Sequence, residues 1–164
     1  MKPSCRASIK EKKLMSVVKS KRGTSKVEFE QIYFQLVDNI DNLVEHNFYA
    51  GNVLVEKNKV FITQRGESLE RLTDDLVFYI KIANSIYPTC MTEWEERRVT
   101  IGKAIGVCYA ILTHYQRVMI RLRVPDTKYT TDIKNIMRMI NSLKAWRKSD
   151  NKIKDKLMQQ QPKV

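Results

Sequence analysis

The chain has 164 residues, 30 Lys+Arg against 18 Asp+Glu and a formal net charge of +12, a length at which a single domain is the default. Its 43% hydrophobic content is too high for wholesale disorder, and 5 Gly and 4 Pro are too few for an all-β fold built on tight turns. No run approaches the roughly 18 apolar residues of a membrane span, and Leu14–Val18 is too short for a signal-peptide core.

Residues 1–23 have no sustained apolar pattern and end in Lys21-Arg22-Gly23, so they read as a basic flexible arm in which Met15 offers a second translation start. A first helix is expected from about Lys26 to Asn47, with Ser25 as N-cap and Glu28 at the capping-box spacing. Phe29, Ile32, Leu36, Ile40 and Leu43 form its apolar stripe, widened by Tyr33, Val37 and Val44. Gly51 is the expected stop. Segment 52–66 carries no clear period: Val60-Phe61-Ile62 suits a helical turn or an extended stretch, and Gly66 interrupts it.

A second helix is expected from Glu67 to about Ile86, on Leu69, Leu72, Leu76, Tyr79, Ile80 and Ala83, ending before Pro88. The third is expected to begin at an N-cap Thr92 with Glu95 at N3. Its seam, Ile101, Ile105, Cys108, Leu112, Tyr115, Met119 and Leu122, alternates spacings of 4 and 3, a heptad pattern that stops before Pro125. The fourth runs from about Asp132 to Lys148 on Ile133, Ile136, Met137, Ile140, Leu143 and Trp146. The expected fold is all-α: an oligomeric, antiparallel up-down four-helix bundle over 24–148, with the basic arm 1–23 and a Lys-rich C-terminal tail 149–164. Gly102, Gly106 and Ala110 recur every fourth position of the third helix. An interior glycine costs about 1 kcal/mol relative to alanine, so this row implies close packing, inside the bundle or at an oligomer contact.

The charge is unevenly placed. Residues 1–26 hold nine Lys/Arg against Glu11, a net of +8, and 144–164 hold seven against Asp150 and Asp155, a net of +5. Between them 27–96 nets −8 and 97–143 nets +7. That polarity implies an oriented surface, pairing of complementary faces between subunits, or neutralisation between adjacent helices of one chain.

Catalytic and metal motifs are absent from the sequence. His46 and His114 lie in different helices without the Glu-x-x-His pairs of bundle di-iron sites, and no H-E-x-x-H, P-loop, G-x-S-x-G or Rossmann fingerprint occurs. Cys5, Cys90 and Cys108 form no C-x-x-C pair, so reduced thiols in the cytoplasm are expected. Cys108 reads as a small core residue; Cys90, in a loop after Pro88-Thr89, is open to reaction, but no sequence feature activates it. Glu93, Glu95 and Glu96 complement a helix N-terminus and need no metal. No enzyme, cofactor or metal is expected. His114, Arg117 and Arg121 share a helical face that Lys103 extends, with Arg123, Lys128, Lys134 and Arg138 nearby. Alone, such a face is a solvated surface. Joined to two basic ends in a chain of pI ≈ 9.7, it points to a polyanion bound through its backbone or shape and not through a base code.

Several segments in this order resemble accessory variability determinant proteins of diversity-generating retroelements: Val18-Lys19-Ser20-Lys21-Arg22, Ala83-Asn84-Ser85-Ile86-Tyr87-Pro88, Glu96-Arg97-Arg98, Ala104-Ile105-Gly106-x-Cys108, and the run Leu143-Lys144-Ala145-Trp146-Arg147-Lys148-Ser149-Asp150-Asn151-Lys152. The resemblance spans about residues 15–152. It implies a four-helix bundle assembled as a homopentamer, without catalytic residues. It further implies binding to the element's reverse transcriptase and to template RNA or its cDNA hybrid, in support of mutagenic reverse transcription. The basic positions matching the family are Arg97, Arg98, Lys144, Arg147, Lys148 and Lys152. With Lys19, Lys21, Arg22, Lys103, Arg117 and Arg121 they form the candidate nucleic-acid contacts. Arg97 and Arg98 equally suit pairing with the acid-rich first two helices. Rival readings are an RNA-binding four-helix bundle of the ribosomal-RNA intervening-sequence type, with no polymerase partner, and a bundle phosphotransferase using His114.

Overall fold

The computed structural model describes the backbone over residues 19–159 and the side chains over 29–159. Among the described residues six α-helices follow in order: α1 Lys19–Glu45, α2 Asn52–Lys57, α3 Lys59–Ser85, α4 Met91–Leu122, α5 Thr130–Ser149 and α6 Asn151–Gln159. No strand occurs among the described residues. The long helices α1, α3, α4 and α5 pack in a ring, each against two others, and α6 lies on α4 and α5. Ile32, Leu36, Ile40 and Leu43 of α1 meet Leu69 and Leu76 of α3, Ile101, Cys108, Ile111 and Tyr115 of α4, and Ile136, Ile140 and Leu143 of α5 in one buried core. Burial pushes the Cys108 thiol up to about 12, which leaves it chemically quiet.

The stripes read from the sequence form this core, with shifts at their edges. Ile105 and Tyr115 of the α4 seam are buried while Leu112 and Met119 are only partly so, and Ala104, Ile111 and Val118 are buried beside them. The helix faces two neighbours, so its apolar face is wider than a heptad seam. On α5, Met137 is 42% exposed and Met139 takes the core position between Ile136 and Leu143.

Boundaries differ more. Helix α1 is already formed at Lys19, the first described residue, so residues 19–23 of the expected arm are helical and Ser25 lies inside the helix instead of capping it. One interior glycine, Gly23, costs only about 1 kcal/mol and does not end a helix by itself. Residues 1–18, with Met15, and 160–164 lie outside the described residues. Gly51 does not make the stop after α1, because its φ is −67°. The chain turns instead through Asn47, Phe48 and Tyr49, whose φ values of 49°, 60° and 57° are left-handed and unusual for residues with a Cβ. The turn drives Phe48 wholly into the core, where the Tyr129 hydroxyl donates to its carbonyl at 2.6 Å.

Segment 52–66 is helical throughout except at the α2–α3 break, and α3 starts two turns earlier than the expected Glu67. Gly66 is not an interruption. A Cβ there would sit 3.0 Å from Val44 Cγ1, so the glycine marks a close approach of α3 to α1. Helix α4 is capped by Cys90, not Thr92. The glutamate that reaches back is Glu93, which accepts from the Thr89 N–H at 2.7 Å and hydroxyl at 2.8 Å; these bonds hold its carboxyl below the usual range. Gly102 and Gly106 have no chain atom within 4 Å of an added Cβ, so close packing inside this bundle does not account for them.

The Lys-rich tail is also corrected, since 151–159 form helix α6. Asp150, 2% exposed, joins it to α5. Its carboxylate lies 3.1 Å from Arg97 Nε, and its carbonyl accepts from Trp94 Nε1 at 2.9 Å. The Arg97 guanidinium covers the Trp146 ring at 5.1 Å, and Arg98 Nη1 donates to Asn151 Oδ1 at 3.1 Å. Burial raises the Asp150 carboxyl above its ordinary range, while Arg97 and Arg98 oppose the shift. Among the described residues no helix is long and apolar enough to cross a membrane.

Candidate functional site

On the outer flank of α3 and α4, positions three and four apart on α4 place His114, Arg117 and Arg121 on one side, facing the first turns of α3. Phe61, Arg65, Arg117, Ile120 and Arg121 line an open cleft of about 370 Å³ there. The Arg65 guanidinium lies 5.3 Å from the Phe61 ring centroid and that of Arg121 lies 6.0 Å from it, so one ring supports two cations. Arg121 Nε also donates to Asn58 Oδ1 at 2.8 Å, which braces it against the start of α3. Arg65 Nη1 is 3.4 Å from His114 Nδ1.

Burial lowers the His114 pKa, and Arg65, Arg117 and Arg71 lower it further, so the neutral ring presents Nδ1 as an acceptor to Arg65. Above the ordinary value of 6.5 the imidazole is neutral in folded and unfolded chains alike. Below it the unfolded chain takes up the proton first, so stability falls as pH falls. His114→Gln is therefore expected to gain thermal midpoint relative to the parent chain between about pH 6.5 and 5. A difference between the two chains that stays constant with pH would contradict this assignment.

The other expected contacts are dispersed. Lys103 is exposed, its ammonium 5.6 Å from the Tyr79 ring. Lys144 is exposed and donates to the Tyr109 hydroxyl at 2.9 Å, on the flank between α4 and α5, where Lys148 is also exposed. Arg147 is half-buried and Lys152 lies exposed on α6. Lys19, Lys21 and Arg22 belong to α1, and their side chains lie outside the described residues. Arg97, 14% exposed, is engaged by Asp150 at the α5–α6 joint and not by an acid of the first two expected helices. Arg98 is held over the Trp94 ring at 5.2 Å. The structure thus brings Arg117 and Arg121 together, keeps Lys144 and Lys148 on a separate flank, and draws Arg97 and Arg98 into the joint.

Arg65 and Phe61 were not singled out from the sequence, because their segment showed no period. Their spacing of four along α3 becomes a signal once that segment is known to be helical. Among the described residues Arg97–Asp150 is the one ion pair within 4.0 Å, and no described acid of 27–96 pairs by contact with a described base of 97–143. Among the described residues no group of three or more His, Cys, Asp or Glu is placed to hold a metal ion. No protein-family model, no curated protein and no solved structure matches the chain.

Proposed function

We propose that the chain is a non-catalytic accessory protein of a diversity-generating retroelement, an oligomeric antiparallel up-down four-helix bundle that binds the element's reverse transcriptase and its template RNA or cDNA hybrid. The observation that carries the nucleic-acid part is the cationic flank: Arg65, Arg117 and Arg121 converge on one cleft, with no carboxylate in ion-pair contact among the described residues. Phosphates would displace counterions from such a surface, making binding fall steeply with salt. The polymerase part rests on the sequence resemblance. The up-down order is supported by contacts that advance along one helix while receding along the next: Asn58–Arg121 and Arg65–His114 between α3 and α4, Tyr109–Lys144 and Tyr115–Asp132 between α4 and α5.

Oligomerisation is supported by the outward face of α4, where Val99 is 58% and Tyr109 45% exposed beside Gly102 and Gly106. Several copies would multiply weak phosphate contacts into useful affinity. Gly106→Leu is expected to lower the mass measured by light scattering towards that of one chain, with helical circular dichroism unchanged. An unchanged mass would remove this face from the assembly. The whole reading is tested by co-expression with the neighbouring polymerase and purification without nuclease, measuring absolute mass and the 260/280 absorbance ratio. The expected result is a nucleic-acid-laden complex larger than either protein. A monomer that ignores RNA at low salt, or that forms no complex with the polymerase, rejects it.

A further inference from the structure

We infer that the α3–α4 cleft takes one unpaired nucleotide of a single strand, its base against Ile120 and the Phe61-backed guanidinia and its phosphate among Arg65, Arg117 and Arg121. The inference deepens the nucleic-acid reading above and rests on it. Three features of the cleft point the same way. Its lining couples two apolar side chains to three guanidinia, the composition that a stacked base and its phosphate together require. Ile120 is 81% exposed, an apolar surface that the bundle itself leaves uncovered. Phe61 supports the Arg65 and Arg121 guanidinia at 5.3 and 6.0 Å, holding planar groups on which a base can stack.

The dimensions agree. At about 370 Å³ the cleft lies near the lower end of small-ligand sites, and it is open to solvent, which lets a strand enter and leave. A duplex keeps its base faces stacked on one another and presents phosphates, riboses and base edges, so it offers no base face to the apolar part. An adjoining cleft shares Phe61 and Arg121 and adds Lys57 and Lys59, with Glu56 as its one carboxylate, giving the next phosphate of the strand a cationic path.

The test uses the full chain and a fluorescein-labelled 12-nucleotide RNA, single-stranded or as a duplex, titrated at fixed low salt. Ile120→Ala changes no charge and removes an exposed side chain. It is expected to weaken single-strand binding about fivefold and to leave duplex binding unchanged. Arg117, exposed and outside every hydrogen bond among the described residues, supplies the second variant. Arg117→Gln is expected to weaken single-strand binding about tenfold and to reduce the salt slope by about one. Unchanged single-strand affinity in Ile120→Ala, or an equal fall on both ligands, overturns the nucleotide cleft while leaving a general basic surface intact. A parent chain that binds neither ligand overturns both readings.

Discussion

Asp150→Ala is expected to cost about 3–5 kcal/mol of folding stability, the usual loss when one partner of a buried ion pair is removed. The carboxylate is 2% exposed and sits 3.1 Å from Arg97 Nε, so its removal leaves a guanidinium that is itself only 14% exposed without its counter-charge. For a chain of 164 residues, each kcal/mol moves the thermal midpoint by about 2–4 °C, giving a drop of roughly 6–20 °C. The paired replacement Arg97→Met with Asp150→Leu should recover most of the loss, because two apolar side chains of similar size need no desolvation. If Asp150→Ala unfolds at the parent temperature, the joint carries no stability. If the double variant is no better than the single one, the loss comes from disturbed packing of Trp94 and Trp146 and not from the orphaned charge.

Phe48→Ala is expected to cost a similar amount, about 3–5 kcal/mol, as the ring is wholly buried beneath the α1–α2 turn. Its backbone makes a sharper forecast possible. At φ 60° alanine keeps the strain that phenylalanine bears, and glycine does not. Phe48→Gly should therefore be about 1 kcal/mol more stable than Phe48→Ala, the reverse of the order found in a helix. Urea unfolding of the three chains measures both quantities. Glycine less stable than alanine would mean that the left-handed turn is absent in solution.

How far the sequence could be read followed the geometry of burial. Ile32, Leu36, Ile40 and Leu43 announce α1 because each turn of that helix meets the core on the same side. The first turns of α3 announce nothing, since Val60 is 71% exposed and Phe61 half-buried. The cleft is hidden for the same reason: half of it stands on this segment, whose side chains stay largely at the surface. Gly66 looked like a breaker because glycine usually ends helices, and only the position of Val44 shows it as a close approach. In α6, Lys152, Lys154 and Lys156 mask Ile153 and Leu157, which lie four apart and are half-buried. The joint that docks this helix links Trp94 to Asp150 across 56 positions, a pairing that no local spacing encodes.

Both tryptophans of the chain lie in that joint, Trp94 hydrogen-bonded to the Asp150 carbonyl and Trp146 beneath Arg97. Indole emission is accordingly a gauge of one end of the bundle. It will register the undocking of α6 and stay silent to events at the α3–α4 cleft, whose aromatic side chain is Phe61. A labelled strand would, on the proposed reading, report the opposite end. Indole and label then give two separate optical channels, and whether loading the proposed cleft loosens the C-terminal helix can be followed in one cuvette.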